Sequence, residues 1–382
     1  MSQSAVKLQA TILRNYYKYF SKFAKGKEPD KKIAWVTSFT PVEILEALDI
    51  YYCYPESYAA VIAASGKEKE LLEESSDKFL SCDCCSYSCC IEGCLETGNG
   101  PRGVLPRPDV LIATNNQCST LPNWWNILAE RYDIPLIILD YPGERIGREA
   151  AFDYVKKQHE ELISRMEELS GNKLDPSVLE EMISNSAKSV ESWKRVTKAL
   201  ADRDINPTSM FDDISFLITS RCKPETAELY NIIAEEYEAQ PKSESKDIRT
   251  FWLGYPLWYH SDRYFSEYLE GFRITGSNYI TWWNLDYSGK DSFEKLFNAY
   301  NFTFLNLKQE SRDALLAEHI AASGAECAVT LINKSCKCDF VSAKNIPVPQ
   351  AELEIDMIDR GFADQNNVRQ KIELLKEIVC SK

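Results

Sequence analysis

"PDVLIATNNQCSTLPNWWNILAERYDIPLIILDYP" (residues 108–142) reads as two strands with a helix between them. Residues 108–114 are a short apolar run, the pattern of a strand buried on both faces. Residues 122–133 carry apolar side chains at helical spacing, and 134–142 is a second apolar run closed by a proline. Strand, helix and strand in so short a span predict a crossover between parallel strands.

The alternation continues in both directions. Upstream, "KKIAWVTSF" (31–39) reads as a buried strand ending in small polar residues, and "YYCYP" (51–55) as a second. Between them "TPVEILEALDI" (40–50) starts like a helix, with Thr40 as cap, Pro41 in the first turn and Glu43 at the third helical position. Residues 57–75 read as one helix, and an opening helix sets Leu8, Ile12, Tyr16, Tyr17 and Phe20 on one face. Downstream, 149–210 is charged and reads as helix throughout, a packing arm. After a polar loop at 238–249, strands are expected at 250–259, 271–278, 327–333 and 351–356, with helical segments between. The expected fold is α/β: two Rossmann- or flavodoxin-like lobes with parallel sheets and a helical arm between them. The divisions are an N-terminal helix (1–30), a first lobe (31–148), the arm (149–212) and a second lobe (213–382).

Composition bounds the function. The 382 residues suit two domains, and 44% hydrophobic content suits buried cores. A net charge of −14 with no Lys/Arg run argues against nucleic acid or an anionic membrane as partner. No stretch reaches the roughly 18 unbroken apolar residues of a membrane span. The N-terminus lacks the apolar core of a signal peptide, so a cytoplasmic location is expected. Thirteen cysteines in a reducing compartment point to metal binding or catalysis rather than a disulfide framework.

In doubly wound sheets, ligands collect at the C-terminal ends of strands. Ser38 follows the first expected strand, Glu56 the second, Cys118 the run at 108–114, and Cys336 the run at 327–333. Six more thiols crowd "SCDCCSYSCCIEGC" (81–94). Zinc and redox dithiols favour a CxxC spacing. Here only Cys82 and Cys85 stand three apart, and His159, His260 and His319 are remote. An iron–sulfur cluster tolerates ligands far apart in sequence and is the favoured reading. Cys53, Cys222, Cys327 and Cys380 read as core or surface thiols. Tryptophan pairs at 124–125 and 282–283 could border an apolar pocket, but such pairs are more often core.

Six segments together resemble the subunits of the 2-hydroxyacyl-CoA dehydratase and benzoyl-CoA reductase superfamily. They are "TSFTPVEILEA" (37–47), "YPESYAAVIAA" (54–64), "CSYSCCIEG" (85–93), residues 115–142, "NKSCK" (333–337) and residues 354–378. The resemblance implies a [4Fe-4S] cluster held by Cys85, Cys118 and Cys336, with Glu56 in proton transfer and Ser38 beside a thioester carbonyl. It implies one-electron reductive chemistry on an acyl-CoA, either dehydration of a 2-hydroxyacyl-CoA or reduction of an aromatic ring. It also implies a homologous second subunit and a separate ATP-dependent iron–sulfur activator, since this chain has no GxxxxGK[ST] motif. Cys82, Cys84, Cys89, Cys90, Cys94 and Cys338 exceed the three-thiol pattern. They leave open a double-cubane cluster, and with it an electron-transfer protein or small-molecule reductase.

Overall fold

The computed structural model describes residues 2–27, 29–78, 84–259, 268–333, 336 and 345–381. Two four-stranded sheets, parallel throughout, organise it. The first joins β1 (Ile33–Val36), β2 (Tyr51–Cys53), β3 (Val110–Thr114) and β4 (Leu136–Leu139) in the order β2-β1-β3-β4. The second joins β5 (Ile248–Leu253), β6 (Phe272–Ser277), β7 (Cys327–Asn333) and β8 (Gln350–Ile355) in the order β6-β5-β7-β8. This is the first part of the flavodoxin-type order, and it bears out the expected α/β reading. β1 and β3 are buried at every residue, as central parallel strands should be. At the edge, β8 alternates exposed and buried residues, so one face meets water.

In each sheet the chain adds one strand, then crosses back past the first. The crevice where direction reverses lies between β1 and β3 in one lobe and between β5 and β7 in the other. Thr37 and Thr114 pin the first crevice: the Thr114 N–H donates to Thr37 Oγ1 at 3.0 Å, and the two hydroxyls lie 3.1 Å apart.

The helices are more finely divided than hydrophobic periodicity suggests. The opening helix divides at Tyr17 into α1 (Gln3–Tyr16) and α2 (Lys18–Phe23). After α3 (Val42–Ala47), the single helix expected at 57–75 is α4 (Pro55–Ala64) and α5 (Glu68–Lys78). Gly66, at φ +71°, turns the chain where a side chain would be strained. α6 (Ser86–Thr97) then packs on α5 so closely that a Cβ at Gly93 would fall 2.0 Å from the Leu71 carbonyl oxygen. α7 (Thr120–Tyr132) joins β3 to β4. The continuous helix expected at 149–210 is α8 (Arg148–Ser170), α9 (Pro176–Asp202) and the start of α10 (Pro207–Ser220). Gly171 closes α8; Asp175 and Asn206 cap the next two, each followed by proline. The strand expected at 250–259 stops at Leu253, because Gly254 takes φ +103° and its N–H turns to the buried Asn278 Oδ1 at 2.9 Å. α11 (Pro224–Glu238), α12 (Asn278–Thr281), α13 (Ser292–Asn301), α14 (Gln309–Ser323) and α15 (Gln365–Cys380) complete the described helices.

α9 touches both lobes, packing on α3, α11, α13 and β6. A buried polar seam runs beside it. Glu43 reads from sequence as a first-turn residue of α3, capped by Thr40. Instead the N-cap is Pro41 with no side-chain cap bond, and Glu43 is fully buried. Its carboxylate accepts from Ser186 on α9 at 2.6 Å and from Tyr287 and Tyr300 of the second lobe at 2.7 and 2.6 Å. Arg221, equally buried, faces it at 3.4 Å and donates to Tyr300 Oη, the Thr40 carbonyl and the Ile218 carbonyl. The hydrophobic collapse has no use for a charge pair. It survives burial because partners from both lobes satisfy it.

Candidate active site

The strand-end residues meet. Glu56 opens α4, Cys85 is the N-cap of α6, Cys118 precedes α7, and Cys336 follows β7. These four line one pocket between the lobes, together with Tyr87 and Gln117. Ser38 stands beside it and donates to Glu56 Oε2 at 3.4 Å. Two of the thiols thus come from the first lobe and one from the second.

Local chemistry sets each position. Thr114 Oγ1 donates to Gln117 Oε1 at 3.3 Å and holds the turn that presents Cys118. The Cys85 carbonyl accepts from the Ser88 hydroxyl at 2.7 Å and the Cys89 N–H at 3.0 Å, closing the first turn of α6. The Cys336 N–H returns to the Asn333 carbonyl at 3.3 Å, bending the chain off β7.

Burial dominates the electrostatics. It pushes the Cys85 thiol well above its ordinary range, and the nearby thiols of Cys336 and Cys118 push further in the same direction. Burial, then Cys118, raises the Glu56 carboxyl to about 8, against the opposing pull of hydrogen bonds from Ser38 and Gln117. A carboxylic acid held protonated at neutral pH beside a cleft is a proton donor in waiting. Among the described residues, no three Cys, His, Asp or Glu side chains converge tightly enough to hold a single metal ion.

A chamber of about 190 Å³ opens from the same spot, and Glu56, Tyr87, Gln117 and Tyr255 line both spaces. Its walls are aromatic. Trp283 stacks on Phe39 at 4.7 Å and 9°. Trp282 stacks on Phe304 at 5.9 Å, and Tyr279 lies 5.3 Å from Trp282. The pair at 282–283 is therefore both buried and chamber-facing. Of the other pair, Trp124 borders the thiol pocket and donates to Glu92 at 2.9 Å, while Trp125 is core.

Most of the described surplus thiols go elsewhere. Cys89, Cys90 and Cys94 are buried along α6, none lines the thiol pocket, and burial raises all three. Cys84 is half-buried. Cys82, Cys338 and His260 lie outside the described residues. Cys53, Cys222 and Cys327 are buried, and Cys380 is exposed. Tyr87, Gln117, Tyr255 and Tyr279 were not singled out from sequence. Two of them carried a signal, since Tyr87 lies two residues after Cys85 and Gln117 directly precedes Cys118.

Comparison with known proteins decides the family. A model of the 2-hydroxyglutaryl-CoA dehydratase D-component family matches residues 37–379. The chain belongs to that family. Within it, the chain is 29% identical to the alpha subunit of (R)-2-hydroxyisocaproyl-CoA dehydratase from Clostridioides difficile, covering 92% of each chain. It is 28% identical to the alpha subunit of (R)-phenyllactyl-CoA dehydratase from Clostridium sporogenes, covering 94% of this chain and 92% of that one. It is 24% identical to a benzoyl-CoA reductase subunit from Thauera aromatica, covering 99% and 95%. This member of the dehydratase D-component family is an enzyme subunit, and its relatives' names imply a partner subunit. No described helix is long and apolar enough to cross a membrane.

Proposed function

We propose that the protein is the cluster-bearing catalytic subunit of an anaerobic enzyme that reduces a CoA thioester by single electrons. The observation that carries this reading is the adjacency of three thiols from three separate elements to an aromatic chamber, with Glu56 at the junction. The donor set fits an iron–sulfur group. Burial and the neighbouring thiols of Cys336 and Cys118 raise the cost of ionising Cys85, which a cationic iron core would relieve. The space between these residues is small, about 20 Å³ against the chamber's 190 Å³, so a cluster would have to part them. A [4Fe-4S] cluster held there by three thiolates would supply low-potential electrons and keep one iron open.

The chain's own residues would do the rest. The chamber binds the acyl group and keeps water from it. The Ser38 hydroxyl donates to the thioester carbonyl. Glu56, protonated at neutral pH, gives its proton to a departing hydroxyl in a dehydratase or to the ring in an aromatic reductase. The partner would be a homologous subunit, and an ATP-dependent activator would deliver the electron. The thiols on α6 are packed as core side chains, which favours one cluster over two.

Anaerobic purification with the partner subunit should give about four irons per chain, as for one cubane. Cys85→Ala, Cys118→Ala and Cys336→Ala should each remove most of the iron, while Cys53→Ala and Cys380→Ala keep it. Normal iron in any of the first three removes that cysteine from the set. About eight irons, lost on changing Cys84, Cys89 or Cys338, would replace this reading with a double cluster. Turnover of 2-hydroxyacyl-CoA or of benzoyl-CoA then separates the two reactions.

A further inference from the structure

The chamber's charge inventory is one-sided. Of its described lining residues, two are acidic, Asp212 and Glu56, the latter shared with the thiol pocket, and none is Lys, Arg or His. The rest of the lining includes Phe39, Tyr279, Trp282 and Trp283 and a face of α4. That face presents Ser57, Ala60, Val61 and Ala64, which share one side of the helix by their spacing. The stacked pairs Phe39–Trp283 and Trp282–Phe304 fix the aromatic wall.

Physical chemistry then sorts the guests. An apolar group gains by leaving water for such a wall. A cavity of about 150 Å³ lined by apolar side chains is large enough for benzene. The chamber's 190 Å³ therefore admits one ring or a branched chain of similar bulk. A carboxylate in the same place loses its hydration and finds no cation among the described lining residues. The family's own description names a dicarboxylic acyl group, 2-hydroxyglutaryl, so family membership alone predicts no such exclusion.

We infer that this subunit takes a CoA thioester whose acyl group is uncharged, apolar and about ring-sized, and that it rejects acyl groups carrying a second carboxylate. The inference rests on the proposed thioester function of the same site.

The test is anaerobic titration of the purified protein with its partner subunit, followed by tryptophan fluorescence. The probes are a branched aliphatic 2-hydroxyacyl-CoA, an ω-carboxylated 2-hydroxyacyl-CoA, the ω-carboxamide of the latter, and free CoA. The carboxamide holds size and shape constant while removing the charge. The branched ester should bind more tightly than the carboxylated one by roughly a hundredfold or more, a hundredfold being already the scale of a buried polar group left without a partner. The carboxamide should fall between them. Equal affinity for the branched and carboxylated esters overturns the inference and leaves the thioester function standing. No ester binding more tightly than free CoA overturns both. Val61→Arg, which places a cation on the chamber wall, should cut the discrimination at least tenfold. Ala64→Arg, at an exposed position on the same face, makes the same test where folding tolerates it more readily, with a smaller cut expected. Unchanged discrimination in both variants removes the chamber as the acyl site.

Discussion

The two lobes share a strand order and divide the chemistry. After β1 the first lobe carries Ser38; after β5 the second carries Tyr255 and Trp258. After β2 comes Glu56; after β6 come Tyr279, Trp282 and Trp283. Only the third strand ends alike, with Cys118 after β3 and Cys336 after β7. One sheet end thus supplies polar and titratable groups, and the matching end supplies a wall and one thiol. The topology decides where side chains gather, and the local sequence decides what they do there.

That division depends on the seam that holds the lobes face to face, and breaking the seam should give the largest effect. Glu43→Ala leaves Arg221 buried without its counter-charge and removes the acceptor of three hydroxyls. A loss of about 3–5 kcal/mol in denaturant unfolding is expected. If one lobe melts before the other, the seam is what made them a unit. A loss under about 1 kcal/mol, the scale of a surface ion pair, would show that it is not.

Acid should strain the same seam. His159 on α8 is fully buried, hydrogen-bonded to Tyr141 at 3.0 Å, and burial lowers it from 6.5 to about 4. Tyr141 in turn stacks on Tyr300. The folded chain keeps this imidazole neutral while the unfolded chain protonates it below pH 6.5. The stability it preserves is therefore present at neutral pH and lost as pH falls from 6.5 towards 4. At about 1.4 kcal/mol per unit, the loss approaches about 3 kcal/mol. Wild type should lose more than His159→Gln across this window in urea melts at stepped pH; identical slopes refute the assignment.

Within the first lobe, Glu56→Gln should slow turnover with saturating acyl-CoA by roughly 10² or more, with iron content and affinity near normal. A mere first-turn role in α4 predicts the reverse pattern: about 1 kcal/mol of lost stability and near-normal turnover. Melting temperature and turnover on the one variant decide between them. The smallest effect belongs to the second lobe. Trp283→Phe keeps an aromatic face against Phe39 and should weaken acyl-CoA binding only several-fold, on the scale of about 0.5–1.5 kcal/mol for an aromatic pair. A fall in turnover as deep as that of Glu56→Gln would place chemistry on the wall and dissolve the contrast between lobes.

The sequence made much of this readable, because parallel strands buried on both faces spell continuous apolar runs. Residues 33–36, 110–114 and 327–333 were legible for that reason, and with them the strand ends where Ser38, Cys118 and Cys336 sit. Glu43 was not legible. Its helical position gave it a local role, whereas its partners Arg221, Tyr287 and Tyr300 lie 178 to 257 residues away, and no local pattern encodes them. Tyr255 and Trp258 were absorbed into a strand for a different reason. Gly254 and Pro256 are local signs against a strand running through 250–259, but the long-range partner of the Gly254 N–H, Asn278, is not encoded nearby. The chamber is likewise a product of two lobes meeting, so its residues look like core until both lobes are in place.

The placement of Cys336 on the far lobe also sets a clock on biogenesis. Cys85 and Cys118 are synthesised more than two hundred residues before it. At roughly 5–20 residues per second, that gap lasts roughly 10–40 s. Arg221, Tyr287 and Tyr300 emerge in the same interval, and β8 with α15 still later. Until Cys336 is made, a nascent chain carries two of the site's three thiols and lacks the third. Any group that needs all three cannot be completed while residue 336 is still unmade. Residue 336 marks the earliest moment at which maturation can be complete.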